Sequence, residues 1–235
     1  MITLYSYPEL FGLEDNNPYG LKVFAFLKLS ALPFEHRHVL DTRSAPRGQL
    51  PYLVDDAQTI GDSDAIVSYL KHQYALPIDA ALTNPQRDLD LLIRRTLDDL
   101  YWVMSYSRWR DPRFWPAFRA ELLATHPDLA ADDLEAARKY NFERYHYQGI
   151  GRYEPAEAYA RGIADLQVLA NLIPDDGFLF GEEPASTDAS VYGFIANIYF
   201  YDIDTPLKQF VVTQPQLVRH CAALRAAVAK GGARR

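Results

Sequence analysis

Few side chains in this sequence have the chemistry to act alone, and the candidates stand where helices begin. Cys221 is the one cysteine in 235 residues, so no internal disulfide can form, and late in a helical stretch it reads as a buried, inert thiol. His36 and His38 share one face of a strand, but two ligands without further candidates make no metal site, and none is expected. Asp62 and Ser63 open the helical run "DSDAIVSYLKHQY". Either can cap that helix, and its unpaired N–H groups favour an anion. Asn17 stands before Pro18 at the start of "PYGLKVFAFLKL". Its side chain can cap this helix, and proline suits the first position because that N–H would be unpaired anyway. The aromatic run Tyr101, Trp102, Tyr106, Trp109, Phe114 and Trp115 can wall a pocket or fill a core.

The elements that position these residues fall into two halves. "ITLYSY" is a β-rich run and Pro8 to Asn17 has loop composition. The helix from Pro18 puts Val23, Phe26, Leu27 and Ala31 near one face. "LPFEHRHVL", "LPYLVDD" and the brief "QTI" read as three more strands before the helix at Asp62. This strand–helix–strand start with a closing hairpin and helix is a thioredoxin-like α/β order. Residues 1–76 form that domain, 77–86 a proline-bearing linker, and 87–235 an all-helical domain. In the second half, Leu89, Leu92, Ile93, Thr96, Leu97, Leu100, Tyr101 and Met104 follow one stripe of a long helix. Further helices are expected near 113–125, 132–147, 155–172, 187–201 and 215–229, punctuated by prolines.

Composition removes several classes of partner. Half the residues are hydrophobic (49%), and the net charge of −7 with scattered Lys and Arg argues against a nucleic-acid surface. "MITLYSYPEL" has neither the basic start nor the apolar run of a signal peptide. The longest apolar candidate, "VYGFIANIYFY", contains Asn197 and is too short to cross a bilayer. A cytoplasmic protein without a membrane partner is expected.

Three local patterns, in this order, resemble the glutathione transferase superfamily: "NPYGLKVFAFLKLSALPFE", "GQLPYLVDD" and "IGDSDAIVSYL". They are similar to that family's first active-site helix and following strand, its cis-proline segment, and the acid–Ser pair that opens its next helix. "LDDLYWVMSYSRW" and "FLFGEEPASTDASVYGFI" look like the metaxin and failed-axon-connections branch, which includes many bacterial glutathione-transferase-like proteins. One departure is Ala185, where the family carries Thr or Ser three residues before the aspartate matching Asp188; Ser186 is expected to cap instead.

The resemblance implies a glutathione transferase whose co-substrate is glutathione. Ser63 and the helix N–H groups would hold the γ-glutamyl carboxylate and Asp62 the ammonium. Leu50, before Pro51, would offer its backbone to the cysteinyl residue, and Gln49 would reach the peptide. Arg43 and Arg47 flank this region and read mainly as surface residues. The thiol needs a hydrogen-bond donor that lowers its pKa, because the thiolate is the nucleophile. That donor is Asn17, or else Tyr5 or Tyr7 from the first strand. Tyr19, Tyr106 and Trp109 are further substrate-binding candidates, and Asp99 is a candidate to reach glutathione across a dimer. The second substrate would be a small hydrophobic electrophile between the domains, and the protein a homodimer. In redox proteins of the thioredoxin superfamily the same place often reads Cys-Pro-Tyr-Cys; the sulfur-free "NPYG" leaves conjugation, or disulfide reduction by bound glutathione itself, as the chemistry the resemblance implies. A non-catalytic, metaxin-like assembly module is the alternative.

Overall fold

The computed structural model describes residues 1–231. Four strands form one sheet: β1 (Ile2–Ser6), β2 (Phe34–His38), β3 (Tyr52–Asp55) and β4 (Gln58–Gly61), in the order β2-β1-β3-β4. β1 runs parallel to β2 and antiparallel to β3, and β3 pairs antiparallel with β4 across a tight turn. Helix α1 (Pro18–Leu29) connects β1 to β2, as a parallel crossover requires, and α2 (Ser63–Gln73) follows β4. Leu4 and Leu53, opposite each other in the sheet, are fully buried.

The rest of the described chain is helical: α3 (Asn84–Trp109), α4 (Trp115–Thr125), α5 (Ala131–Gln148), α6 (Pro155–Leu172), α7 (Ser186–Tyr199), α8 (Pro206–Val212) and α9 (Pro215–Gly231). α3 starts from a reciprocal cap: Thr83 Oγ1 accepts from the Gln86 N–H while Gln86 Oε1 accepts from the Thr83 N–H. It therefore begins inside the expected linker. α8 falls outside the expected helices; seven residues give too few turns to print a period in sequence.

α1 and α7 are buried along nearly their whole length and pack on one another, joining the sheet to the helical half. Their closeness depends on Gly193, where a Cβ would lie 2.4 Å from the Pro18 carbonyl oxygen and 2.9 Å from the Lys22 nitrogen. The start of α7 corrects the expected cap. Ser186 does not cap the helix; its N–H and hydroxyl donate to Asp79, at 2.9 and 2.6 Å. Asp79 belongs to the segment after α2, so a carboxylate from far along the chain supplies the anion that this helix start favours. Asp188 Oδ2 still accepts from the Ala185 N–H at 2.8 Å. Among the described residues no helix is long and apolar enough to cross a membrane, and no three His, Cys, Asp or Glu gather as a metal site would need.

Candidate functional site

After β1 the chain leaves the sheet and folds back so that Asn17 starts α1 beside Tyr7. The helical half holds this loop by its carbonyls. Arg108 donates to Asn16 O at 2.9 Å and Asn197 O at 2.5 Å, and lies 4.1 Å over the Tyr201 ring. Tyr201 donates to the same Asn16 carbonyl at 2.9 Å. Asp15 is fully buried within the loop. Burial pushes its carboxyl well above the usual range, against the hydrogen bonds from Ser6 and the Asn17 N–H. Its Oδ1 accepts the Asn17 N–H at 2.7 Å, and its Oδ2 fills the space of the missing Gly20 side chain, 1.7 Å from where a Cβ would be. The glycine of Asn-Pro-Tyr-Gly thus makes room for a carboxyl that fixes the asparagine.

Asn17 Oδ1 accepts from the Tyr19 N–H at 3.0 Å. Because a backbone N–H can only meet an acceptor, this bond sets the assignment of the amide and leaves the Asn17 Nδ2 group as a donor. Asn17 and Tyr7 both line two adjoining cavities. Burial raises the Tyr7 phenol to about 12, so it too keeps its proton and remains a donor.

The first cavity, ≈ 490 Å³, gathers most of the binding candidates: Asn17, Tyr7, Tyr19, Gln49, Leu50, Pro51, Asp62 and Ser63. The Leu50-Pro51 peptide is cis. The Leu50 N–H and C=O make no hydrogen bond among the described residues, leaving a free backbone edge next to β3. Asp62 has φ of 79°, an unusual conformation for a residue with a side chain. Its Oδ1 caps α2 through the Asp64 and Ala65 N–H groups, both at 3.0 Å, and its Oδ2 lies 3.8 Å from Arg47. Ser63 is buried, and Lys22, itself buried, donates to its Oγ at 3.3 Å. An oxygen that accepts from an ammonium turns its own proton the other way, so the Ser63 hydroxyl is set as a donor. Lys22 also pairs with Asp64, which bonds Arg94 in turn. Burial works against the Asp64 charge, but Lys22 and Arg94 outweigh it and hold that carboxyl below its usual range. Tyr19 lines the cavity with its hydroxyl committed to Asp98 at 2.9 Å.

The second cavity, ≈ 650 Å³, lies against the first and is walled by apolar side chains including Trp109, Phe118, Leu122 and Leu134. Arg43 borders it but is forked onto Asp41 at 2.6–3.0 Å.

Three candidates lie elsewhere. Tyr5 lines neither cavity. Its register partners are Tyr52 and Arg37, so the three share the outer face of the sheet, Tyr5 stacked on Tyr52 at 4.5 Å. Tyr7 lies past the end of β1, and the strand alternation that would align it with Tyr5 no longer holds. Tyr106 is buried, edge-on to Tyr159 at 6.1 Å, one position round α3 from the cavity wall. Asp99 pairs with Arg161 at 2.9 Å. Its neighbour Asp98 faces the cavity, and helical spacing from Asp98 through Tyr101, Trp102 and Ser105 would have found it. Tyr140 and Arg144, on α5, also line both cavities; that helix is polar on most sides, so its sequence prints no inward face.

Residues 18–114 match the glutathione S-transferase N-terminal domain, and 162–224 the glutathione S-transferase C-terminal domain. The isoprene-epoxide–glutathione S-transferase of Rhodococcus sp. (strain AD45) is 30% identical over 235 residues, covering 96% of this chain and 98% of that one. Failed axon connections of Drosophila melanogaster is 28% identical over 240 residues, 96% of this chain but 57% of its own length. A glutathione transferase family member from Pseudomonas fluorescens pf-5, solved with two glutathione bound, superposes with a TM-score of 0.62 at 18% identity, covering 98% of this chain and 91% of that one. With both family domains matched and a relative of that identity aligned end to end, the chain belongs to the glutathione S-transferase superfamily.

Proposed function

We propose that the protein binds glutathione in the first cavity, lowers its thiol pKa at Asn17, and conjugates it to a small apolar electrophile in the second. The observation that carries this reading is Asn17, which lines both cavities and whose Oδ1 is committed to the Tyr19 N–H, so that its Nδ2 group remains a donor. Ser63, made a donor by Lys22, and the α2 N-terminus suit a carboxylate; Asp62 suits the ammonium; the free edge at Leu50 suits the peptide backbone. The sulfur-free loop leaves glutathione to supply the thiolate, with the helix start and the Asn17 amide stabilising its charge. The same thiolate attacking a disulfide sulfur gives the reductase variant.

Calorimetry and melting curves with glutathione test the reading. At about 100 times its Kd, glutathione should stabilise the fold by about 2.7 kcal/mol, a rise in Tm of roughly 5–10 °C for a chain of this size. Ser63→Ala should weaken binding about 10- to 100-fold, since a hydrogen bond to a charged group contributes about 1.5–3 kcal/mol. The similarity to Failed axon connections favours a second reading, a non-catalytic binding module. Millimolar glutathione that neither binds nor raises Tm would leave that reading standing and remove the first.

A further inference from the structure

A buried arginine and a buried carboxyl hold the same loop, yet they do not pair. Arg108, on α3, is only 9% exposed. It donates from Nη1 to the Asn16 carbonyl at 2.9 Å, and from Nη2 to Asn197 O and Oδ1 at 2.5 and 3.3 Å. Its guanidinium lies over the rings of Tyr201 and Phe118, at 4.1 and 5.9 Å. All of these partners are neutral; Tyr201, which shares the Asn16 carbonyl, keeps its proton because burial raises its phenol. Asp15 is the residue next to Asn16. Its Oδ1 takes the Asn17 N–H at 2.7 Å, and its buried Oδ2 has no partner among the described residues. An unpartnered oxygen costs far less on a neutral carboxyl than on a carboxylate, and burial holds this group well above the usual carboxylate range. The loop thus keeps its own acid from cancelling the cation.

A buried cation met only by carbonyls and ring faces is under-compensated, and it favours an anion brought to it. Arg108, Asn16 and Asn17 all line the second cavity, and Asn17 lines the first as well. The other charges of the second cavity are differently placed. Arg43 is forked on Asp41, and Asp128 and Asp133 are exposed, where water screens them. Arg144 bonds Asn141 and makes no hydrogen bond to the loop among the described residues. We propose that the charge of Arg108, left unbalanced by the loop it holds, lowers the pKa of the glutathione thiol, so that Arg108 both positions Asn17 and supplies a positive field for the thiolate. Asn17 gives the sulfur a hydrogen bond; Arg108, bonded one residue upstream, gives the site its sign. Inside the fold that field is screened little. This inference rests on the transferase reading above.

Thiolate absorbance of bound glutathione reads the effect. Arg108→Gln removes the charge but keeps an N–H for the Asn16 carbonyl. It should raise the bound thiol pKa by about one unit, the low end of the shift caused by a neighbouring opposite charge. At about pH 9, above the ~8.5 of a free thiol, glutathione should then bind about 10-fold more weakly. S-methylglutathione, which has no thiol to ionise, should bind as it does to the wild type. Arg108→Lys keeps a charge but loses the fork that reaches two carbonyls; it should lose stability yet hold the thiol pKa below that of Arg108→Gln. Asp15→Asn cannot ionise and keeps an oxygen for the Asn17 N–H, so it should not lower the thiol pKa. A fall of about one unit there would show that Asp15 already balances Arg108, and would overturn the proposal even if Arg108→Gln does not fold. Equal weakening of both ligands, or equal thiol pKa values in the Gln and Lys variants, would reduce Arg108 to a loop anchor and overturn the proposal alone. A wild type that binds no glutathione, or binds it with the pKa it has in solution, overturns it together with the reading on which it stands.

Discussion

Replacing Asn17 with alanine should lower kcat/KM for conjugation about 10²-fold, the usual loss when one donor to a developing or resting anion is removed. Two functions leave with the side chain. The cap on α1 contributes about 1 kcal/mol, which a protein stabilised by several kcal/mol can lose and stay folded, since α1 is buried along most of its length. The amide donor is the other. Two substitutions separate them. Asn17→Asp keeps an oxygen for the Tyr19 N–H but sets a negative charge against the thiolate, so stability should hold while activity falls as far as in Asn17→Ala. Asn17→Ser keeps both a cap and a donor and should retain part of the activity. Equal, small effects of all three would make Asn17 a cap and nothing more, and a large loss in Tyr7→Phe would move the donor to Tyr7.

The second large effect is on stability. Gly193→Ala should destabilise the protein by about 2 kcal/mol, read from chemical or thermal unfolding. Helix propensity alone favours alanine by about 1 kcal/mol. Overpacking costs as much as about 3 kcal/mol, and here the new methyl meets backbone, the Pro18 carbonyl and the Lys22 nitrogen, rather than a side chain that could turn aside. α1 would have to move off α7. Because Pro18 follows Asn17 and Asn197 of α7 donates to the Asp15 carbonyl at 3.4 Å, the same displacement should weaken glutathione binding. A variant of wild-type stability would contradict the packing described here.

What was legible in the sequence was local. The start of α1 at Pro18 followed from Asn17 and Pro18 alone, and α6 from Pro155 and its period. The order of strands and helices was readable because each carries its own alternation or stripe. What was not legible depended on partners far along the chain. Ser186 looked like a cap because Asp79 could not be seen beside it. Tyr5 and Tyr7 looked equivalent because nothing near them shows that β1 ends at Ser6 and that Arg108 and Tyr201 draw the following loop back. Asp98 could have been chosen over Asp99 by helical phase. Arg144 could not, since the face it shares with Tyr140 exists only once α5 has packed.

The central claim is that this chain, lacking a thiol in its loop, lowers the pKa of one that it binds. Titration of bound glutathione by thiolate ultraviolet absorbance tests it most directly. A bound thiol ionising at least about one unit below the ~8.5 of a free thiol, and returning toward that value in Asn17→Ala, is the result predicted. Bound glutathione that ionises as it does free in solution would contradict it.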